Sequence, residues 1–296
     1  MTPQDDPLWA AKQAAVERIR PSDNDVPPPL PPGGEPFIIT KQHRRFTEFA
    51  DAVRRDHYIG LCYGPPGVGK TVSARQYAGW DELQALLRSF RRYYAAGDKR
   101  DDWHTLLFTL TVNATPRTIS KELDDLSSAL AVIRGPDPLD WRTYTDPHAL
   151  VPFAELLIVD EADRLNTPAL EQLRDHYDRS QLGMILIGMP GLEKRLARHP
   201  QLYSRIGFVH EYKPLSAEEL TFVLDHHWND LGLTMSASDF TDTEAIAAIT
   251  RITSGNFRLV HRLFDQIARI LEINGLHTIT SEVVETARET LVIGTL

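Results

Sequence analysis

Eight residues, Gly64-Pro65-Pro66-Gly67-Val68-Gly69-Lys70-Thr71, follow the spacing G-x-x-x-x-G-K-[ST]. Glycines at these points let backbone N–H groups turn inward around phosphate oxygens, and a following helix adds the positive end of its dipole. Lys70 would reach the β- and γ-phosphates of a nucleotide, and the Thr71 hydroxyl would ligate Mg²⁺. A second group with chemical meaning is Asp160-Glu161, which closes the apolar run Leu156-Leu157-Ile158-Val159. Asp160 would hold Mg²⁺ through water, and Glu161 would polarise an attacking water. The bland readings are a glycine turn without a ligand and a surface turn with two acids.

Context decides between these readings. Tyr58 to Tyr63 is a short apolar run that predicts a buried strand, and Val72 to Trp80 can form a helix. Strand, glycine loop and helix is the setting the first motif needs, with Gly64 to Val72 as the nucleotide-binding segment. The run Leu156–Val159 has no alternation, as expected of a parallel strand buried on both faces. Ligands bind beyond the carboxyl ends of such strands, where the two acids fall. Further strands are predicted over 106–112, 183–188 and 208–212, and helices over 41–55, 80–96, 120–133 and 167–180. Alternating strands and helices imply a three-layer α/β core with a parallel sheet.

After Pro214 the pattern becomes helical throughout. Ser216 with Glu219 makes a capping box, and helical periodicity covers 217–229, 242–252, 256–274 and 281–290. The chain is therefore divided into a proline-rich tail (1–36), an α/β core (37–213) and a small all-helical lid (214–296). The tail holds Pro27-Pro28-Pro29-Leu30-Pro31-Pro32, which reads as a spacer or as a partner-binding segment.

Composition narrows the function classes. The 296 residues are 42% hydrophobic and 25% charged, ordinary values for a folded globular chain. The lone Cys62 excludes an internal disulfide and a cysteine-rich zinc site. No apolar run reaches membrane-spanning length, and Met1 to Ala10 is acidic where a signal peptide needs basic residues. A cytoplasmic protein without membrane contact is expected. The net charge is −9, but residues 37–213 carry 24 basic and 23 acidic side chains while 214–296 carry 5 and 12. Contact with nucleic acid would thus come from local patches on the core. Thr115-Pro116-Arg117-Thr118-Ile119-Ser120-Lys121 offers Arg117 and Lys121 beside hydroxyls at a helix start, the groups that commonly contact phosphates. Solvated charges flanking a helix cap are the equal alternative. Arg88, Arg91 and Arg92 form a further basic group.

The motifs in this order resemble the P-loop AAA+ ATPases, in which an α/β core carries a helical lid. The resemblance covers about residues 37 to 290. It implies ATP and Mg²⁺ as cofactors, and roles for three residues beyond Lys70 and Glu161. Asn113, after the second strand, matches the residue that restrains the Walker B glutamate. Arg205 in Tyr203-Ser204-Arg205-Ile206 matches the arginine that completes a neighbouring subunit's site, with Arg198 second. Arg258 in Gly255-Asn256-Phe257-Arg258 matches the lid's sensor arginine. Met189 stands where the family usually has a polar sensor, which implies slow, switch-like hydrolysis.

A finer resemblance is to the transposition regulators of the MuB/TnsC/TniB type. It rests on Val159 to Leu165, on Leu186-Ile187-Gly188-Met189-Pro190-Gly191 and on the compact lid. It implies assembly of a ring or helical filament on duplex DNA with ATP, and recruitment or activation of a transposase, with a target-selection protein as a further partner. A helicase loader or initiator shares the fold with a different partner. A nucleotide-sensing scaffold would bind no DNA.

Overall fold

The computed structural model describes residues 37–88, 103–112, 114–134, 154–180, 182–236 and 238–291. The expectations placed on the 1–36 tail, Arg91, Arg92 and Asn113 fall outside these residues. The backbone forms two compact units, each with its own core. One consists of Thr47–Tyr63 and Thr71–His210; the other gathers Ile38–Phe46, Gly64–Lys70 and Glu211–Leu296.

The first unit is built on a five-stranded sheet in the order β2-β3-β4-β1-β5. Its strands are β1 (Ile59–Tyr63), β2 (Thr105–Thr109), β3 (Leu156–Asp160), β4 (Gly183–Gly188) and β5 (Ile206–Glu211). The pairs β2–β3, β3–β4 and β1–β4 are parallel, with Thr109 opposite Asp160 and Cys62 opposite Ile187. Every residue of β3 and β4 is buried, which explains their unbroken apolar runs. The edge strand β5 instead alternates half-buried and exposed positions.

Helix α1 (Lys41–Asp56) precedes β1; α2 (Lys70–Tyr77), α3 (Trp80–Arg88), α4 (Pro116–Arg134), α5 (Thr167–Ser180) and the short α6 (Leu192–Leu196) and α7 (Pro200–Tyr203) lie between successive strands. Two glycines allow α1 to lie close to the sheet. A Cβ at Gly60 would stand 2.5 Å from Val53 and 2.7 Å from Phe49, and one at Gly183 would stand 2.5 Å from the Val53 carbonyl.

Besides the start of α1 and the glycine loop, the second unit holds four helices among the described residues: α8 (Ala217–Asp230), α9 (Phe240–Thr253), α10 (Phe257–Asn274) and α11 (Ser281–Glu289). Trp228, Leu224, Ile249, Leu263, Phe264 and Val284 fill its core. Each helix starts on a cap that its sequence supplies. Ser216 and Glu219 exchange both bonds of a capping box, and Asp239, Asn256 and Thr280 accept N–H groups of α9, α10 and α11. Glu219 also accepts the Gln42 N–H at 3.0 Å, which ties the start of α1 to this unit. No described helix is long and apolar enough to cross a membrane.

Candidate nucleotide site

The glycine loop leaves β1 and enters α2 as its motif requires. Gly67 and Gly69 have φ of 80° and 107°, conformations that a side chain would strain. Lys70 is 9% exposed. Its Nζ donates to the Gly64 carbonyl at 2.6 Å and the Pro65 carbonyl at 2.8 Å, so the ammonium lies across the loop that it closes. Val72 is exposed on the first turn of α2.

Within its own unit the loop is fastened to the start of α10. Asn256 Nδ2 donates to the Pro66 carbonyl at 2.9 Å, and the Arg258 N–H donates to the Gly67 carbonyl at 2.9 Å. The loop and the arginine expected from Gly255-Asn256-Phe257-Arg258 are thereby brought together, with the Arg258 side chain exposed. Tyr212 closes the loop from another side, since a Cβ at Gly64 would overlap its carbonyl.

In the α/β unit, the Thr71 hydroxyl donates to Asp160 Oδ2 at 2.7 Å, and the Glu161 N–H donates to Asp160 Oδ1 at 2.8 Å. Asp160 is only 3% exposed. A hydroxyl oxygen beside a buried carboxylate is a hard-oxygen donor pair that suits Mg²⁺, an ion that keeps several waters and takes few protein ligands. Among the described residues no three His, Cys, Asp or Glu side chains cluster to hold a metal without such help.

Glu161 follows at φ 59° and ψ 36°, a left-handed conformation rare outside glycine. Such backbone costs of order 1–3 kcal/mol and concentrates at functional sites. It breaks the strand after Asp160 and starts the 3₁₀ turn Ala162–Arg164. Arg164 lies 3.7 Å from Glu161 Oε2 and donates to the Leu110 carbonyl at 2.7 Å, so it steadies the acid from the end of β2.

Sequence reasoning passed over four residues here. Asn256 was legible as an N-cap, being the Asn just before a periodic apolar run. Arg164 and Asp163 sit in the motif already quoted, where Asp163 accepts the Met189 N–H at 3.0 Å. Asp178 had no sequence signal. It takes Arg205 in a two-pronged ion pair, with Nε at 2.6 Å and Nη2 at 2.8 Å. Arg198 is exposed. Arg117 and Lys121 are exposed one turn apart on α4, while the Thr115 and Thr118 hydroxyls bond each other and their own backbone.

Comparisons with known proteins bear on the family and the fold. The AAA domain family matches residues 53–196. A Staphylococcus aureus protein called "Potential ATP-binding protein" is 46% identical over 267 residues, covering 87% of this chain and 97% of its own. The Mu-like prophage FluMu DNA transposition protein B of Haemophilus influenzae is 22% identical over 177 residues, covering 57% of this chain and 54% of its own. Among solved structures, the RuvB Holliday junction branch migration motor of Thermotoga maritima aligns with a TM-score of 0.54 at 19% identity, covering 86% of this chain and 70% of that one. The ORC2 protein of Aeropyrum pernix, in ADPNP–ADP complexes, aligns with a TM-score of 0.55 at 18% identity, covering 92% and 72%.

Proposed function

Because the chain belongs to the AAA-domain family of P-loop ATPases, we propose that it is an ATP-dependent regulator that assembles on duplex DNA and recruits or activates a transposase, with slow ATP hydrolysis as its switch. The observation that carries the ATPase part is the 2.7 Å contact of Thr71 with Asp160 beside the turned-out Glu161. The two oxygens would hold Mg²⁺, which when bound neutralises charge developing on the phosphates. Lys70 binds the phosphate oxygens after leaving its two carbonyls. Glu161 orients the attacking water and accepts its proton. Arg258, exposed at the edge of the loop, senses the nucleotide from the lid.

Slow turnover is inferred from Met189. Its thioether is a poor hydrogen-bonding group, and its N–H is already given to Asp163. Arg205 would complete the site of an adjacent subunit in a homo-oligomeric ring or filament. That role requires it to leave Asp178, so assembly and hydrolysis would be linked. Asn113 is proposed to restrain Glu161.

The DNA part is supported by the likeness to a DNA transposition protein and by the charge division along the chain. The helical unit is too acidic to follow a polyanion, whereas the α/β part is balanced. Arg117 and Lys121, exposed and one turn apart, are the proposed phosphate-binding cations. Duplex DNA titrated at several salt concentrations with ATP tests this. Arg117→Ala/Lys121→Ala should lower affinity and reduce the log–log salt slope by about 0.9 for each DNA phosphate that is no longer neutralised. Unchanged affinity and slope with ATP binding intact would move the DNA path elsewhere.

A further inference from the structure

The phosphate loop contains two residues that cannot donate. Pro65 and Pro66 have no N–H, so the first backbone donor after Gly64 is Gly67. One peptide plane, Pro66–Gly67, decides where that N–H points, because the C=O and N–H of a trans peptide face opposite ways. Local conformation does not fix this plane. Gly67 sits at φ 80°, and glycine takes either sign of φ at little cost. A plane before such a glycine can turn over by the exchange that separates type I from type II turns.

The helical unit supplies what the loop lacks. Asn256 Nδ2 holds the Pro66 carbonyl at 2.9 Å, and the Arg258 N–H holds the Gly67 carbonyl at 2.9 Å. Both carbonyls are turned onto the start of α10, which turns the Gly67 and Val68 N–H groups the opposite way. Asn256 is 9% exposed and uses both ends of its amide. Oδ1 accepts the Leu259 N–H at 3.2 Å as the helix cap, while Nδ2 reaches the loop. Asp or Ser could cap α10 equally well, but only an amide accepts at one atom and donates from another, as these two separate contacts require.

We propose that Asn256 is a positioning residue for nucleotide binding, fixing the Pro66–Gly67 peptide so that the Gly67 N–H is presented to the nucleotide's phosphates. The inference rests on the reading of the loop as a nucleotide site. It adds that the cap of a lid helix sets part of the loop's order. Because the Gly67 N–H serves phosphates common to both nucleotides, ADP and ATP should be affected alike.

The test uses the full chain labelled with ¹⁵N-glycine, as wild type, Asn256→Asp and Asn256→Ser. ADP and ATP affinities are measured by calorimetry, and the nucleotide-free Gly67 amide is followed by NMR. Both variants keep a capping oxygen and should keep the wild-type melting curve; if the Asp carboxylate disturbs the loop carbonyls, the uncharged Ser gives the same comparison. Both should bind ADP and ATP about tenfold more weakly, as expected from removing one hydrogen bond of about 1.4 kcal/mol. The Gly67 amide should shift or split without nucleotide, which a purely capping role would not produce. Wild-type affinities in both variants, or an unmoved Gly67 amide, would overturn the inference while the site reading stands. A wild type that binds no nucleotide would overturn both.

Discussion

At the scale of single residues, the site depends on backbone positions that each tolerate few side chains. Glu161 is positioned by its left-handed turn rather than by the strand before it. Glu161→Gln keeps the shape and removes the proposed base, so ATP affinity should stay near wild type while phosphate release falls about 10²- to 10⁴-fold. Normal turnover in that variant would remove Glu161 from the chemistry. Gly67→Ala should weaken nucleotide binding and lower the melting temperature together, because its Cβ would stand 2.5 Å from Asn256 Oδ1 at a φ that alanine avoids. Calorimetry and a melting curve check both effects. The loop and the acidic pair were legible from spacing alone, since their chemistry demands particular residue types at fixed separations. The turn at Glu161 was not: nothing in the spacing of the two acids announces a left-handed residue, which the structure shows with the Asp160 carboxylate accepting the Glu161 N–H. The pairing of Arg205 with Asp178 was likewise hidden, because the partners lie 27 residues apart on different elements.

Elements were legible where periodicity or burial was strong. The lid helices lie within a residue or two of the ends expected from the Ser216 capping box and from periodicity, and the caps Asp239, Asn256 and Thr280, which periodicity does not show, set the other three starts. Boundaries moved where local chemistry outweighed pattern. Periodicity predicts helix α4 from Ser120, yet it begins at Pro116, since proline suits a first helical turn and Thr115 accepts the Thr118 N–H. The apolar run predicts strand β2 as far as Val112, but the strand ends at Thr109, and Val112 is 78% exposed in the turn that follows. In the lid, His227 stacks on Phe264 at 4.6 Å and faces His261, with Asp230, Asp265 and His226 nearby. Burial, helped by His261, holds its imidazole below the ordinary value of 6.5. The unfolded chain then takes up a proton more readily than the folded one. This part of the stability is complete above pH 6.5 and is lost as pH falls below it toward the lowered folded value. Denaturant midpoints should therefore drop on acidification through that window, and His227→Gln should lessen the drop. His43 and His176, lowered by their own burial, contribute with the same sign and would leave a residue of it.

For the whole molecule, the proposal links three properties: nucleotide state, assembly and DNA. The free chain keeps Arg205 paired with Asp178, so hydrolysis that needs this arginine in trans should depend on subunit contact. Specific ATPase activity should rise with protein concentration and on adding duplex DNA, and Arg205→Ala should flatten both rises while leaving ATP affinity intact. Full activity independent of concentration would remove the trans role. The charge division along the chain was legible from counting, and it is why the proposal puts any DNA path on the α/β part. The identity of a protein partner has no comparable signature, because a docking face is recognised by shape, which spacing does not encode. The most direct measurement is sedimentation of the full-length protein with long duplex DNA in ATP, in ADP and without nucleotide. The account predicts co-sedimentation as large assemblies with ATP alone, retained or increased by Glu161→Gln and abolished by Lys70→Ala. DNA association that is equal in all three conditions, or absent with ATP, would contradict it.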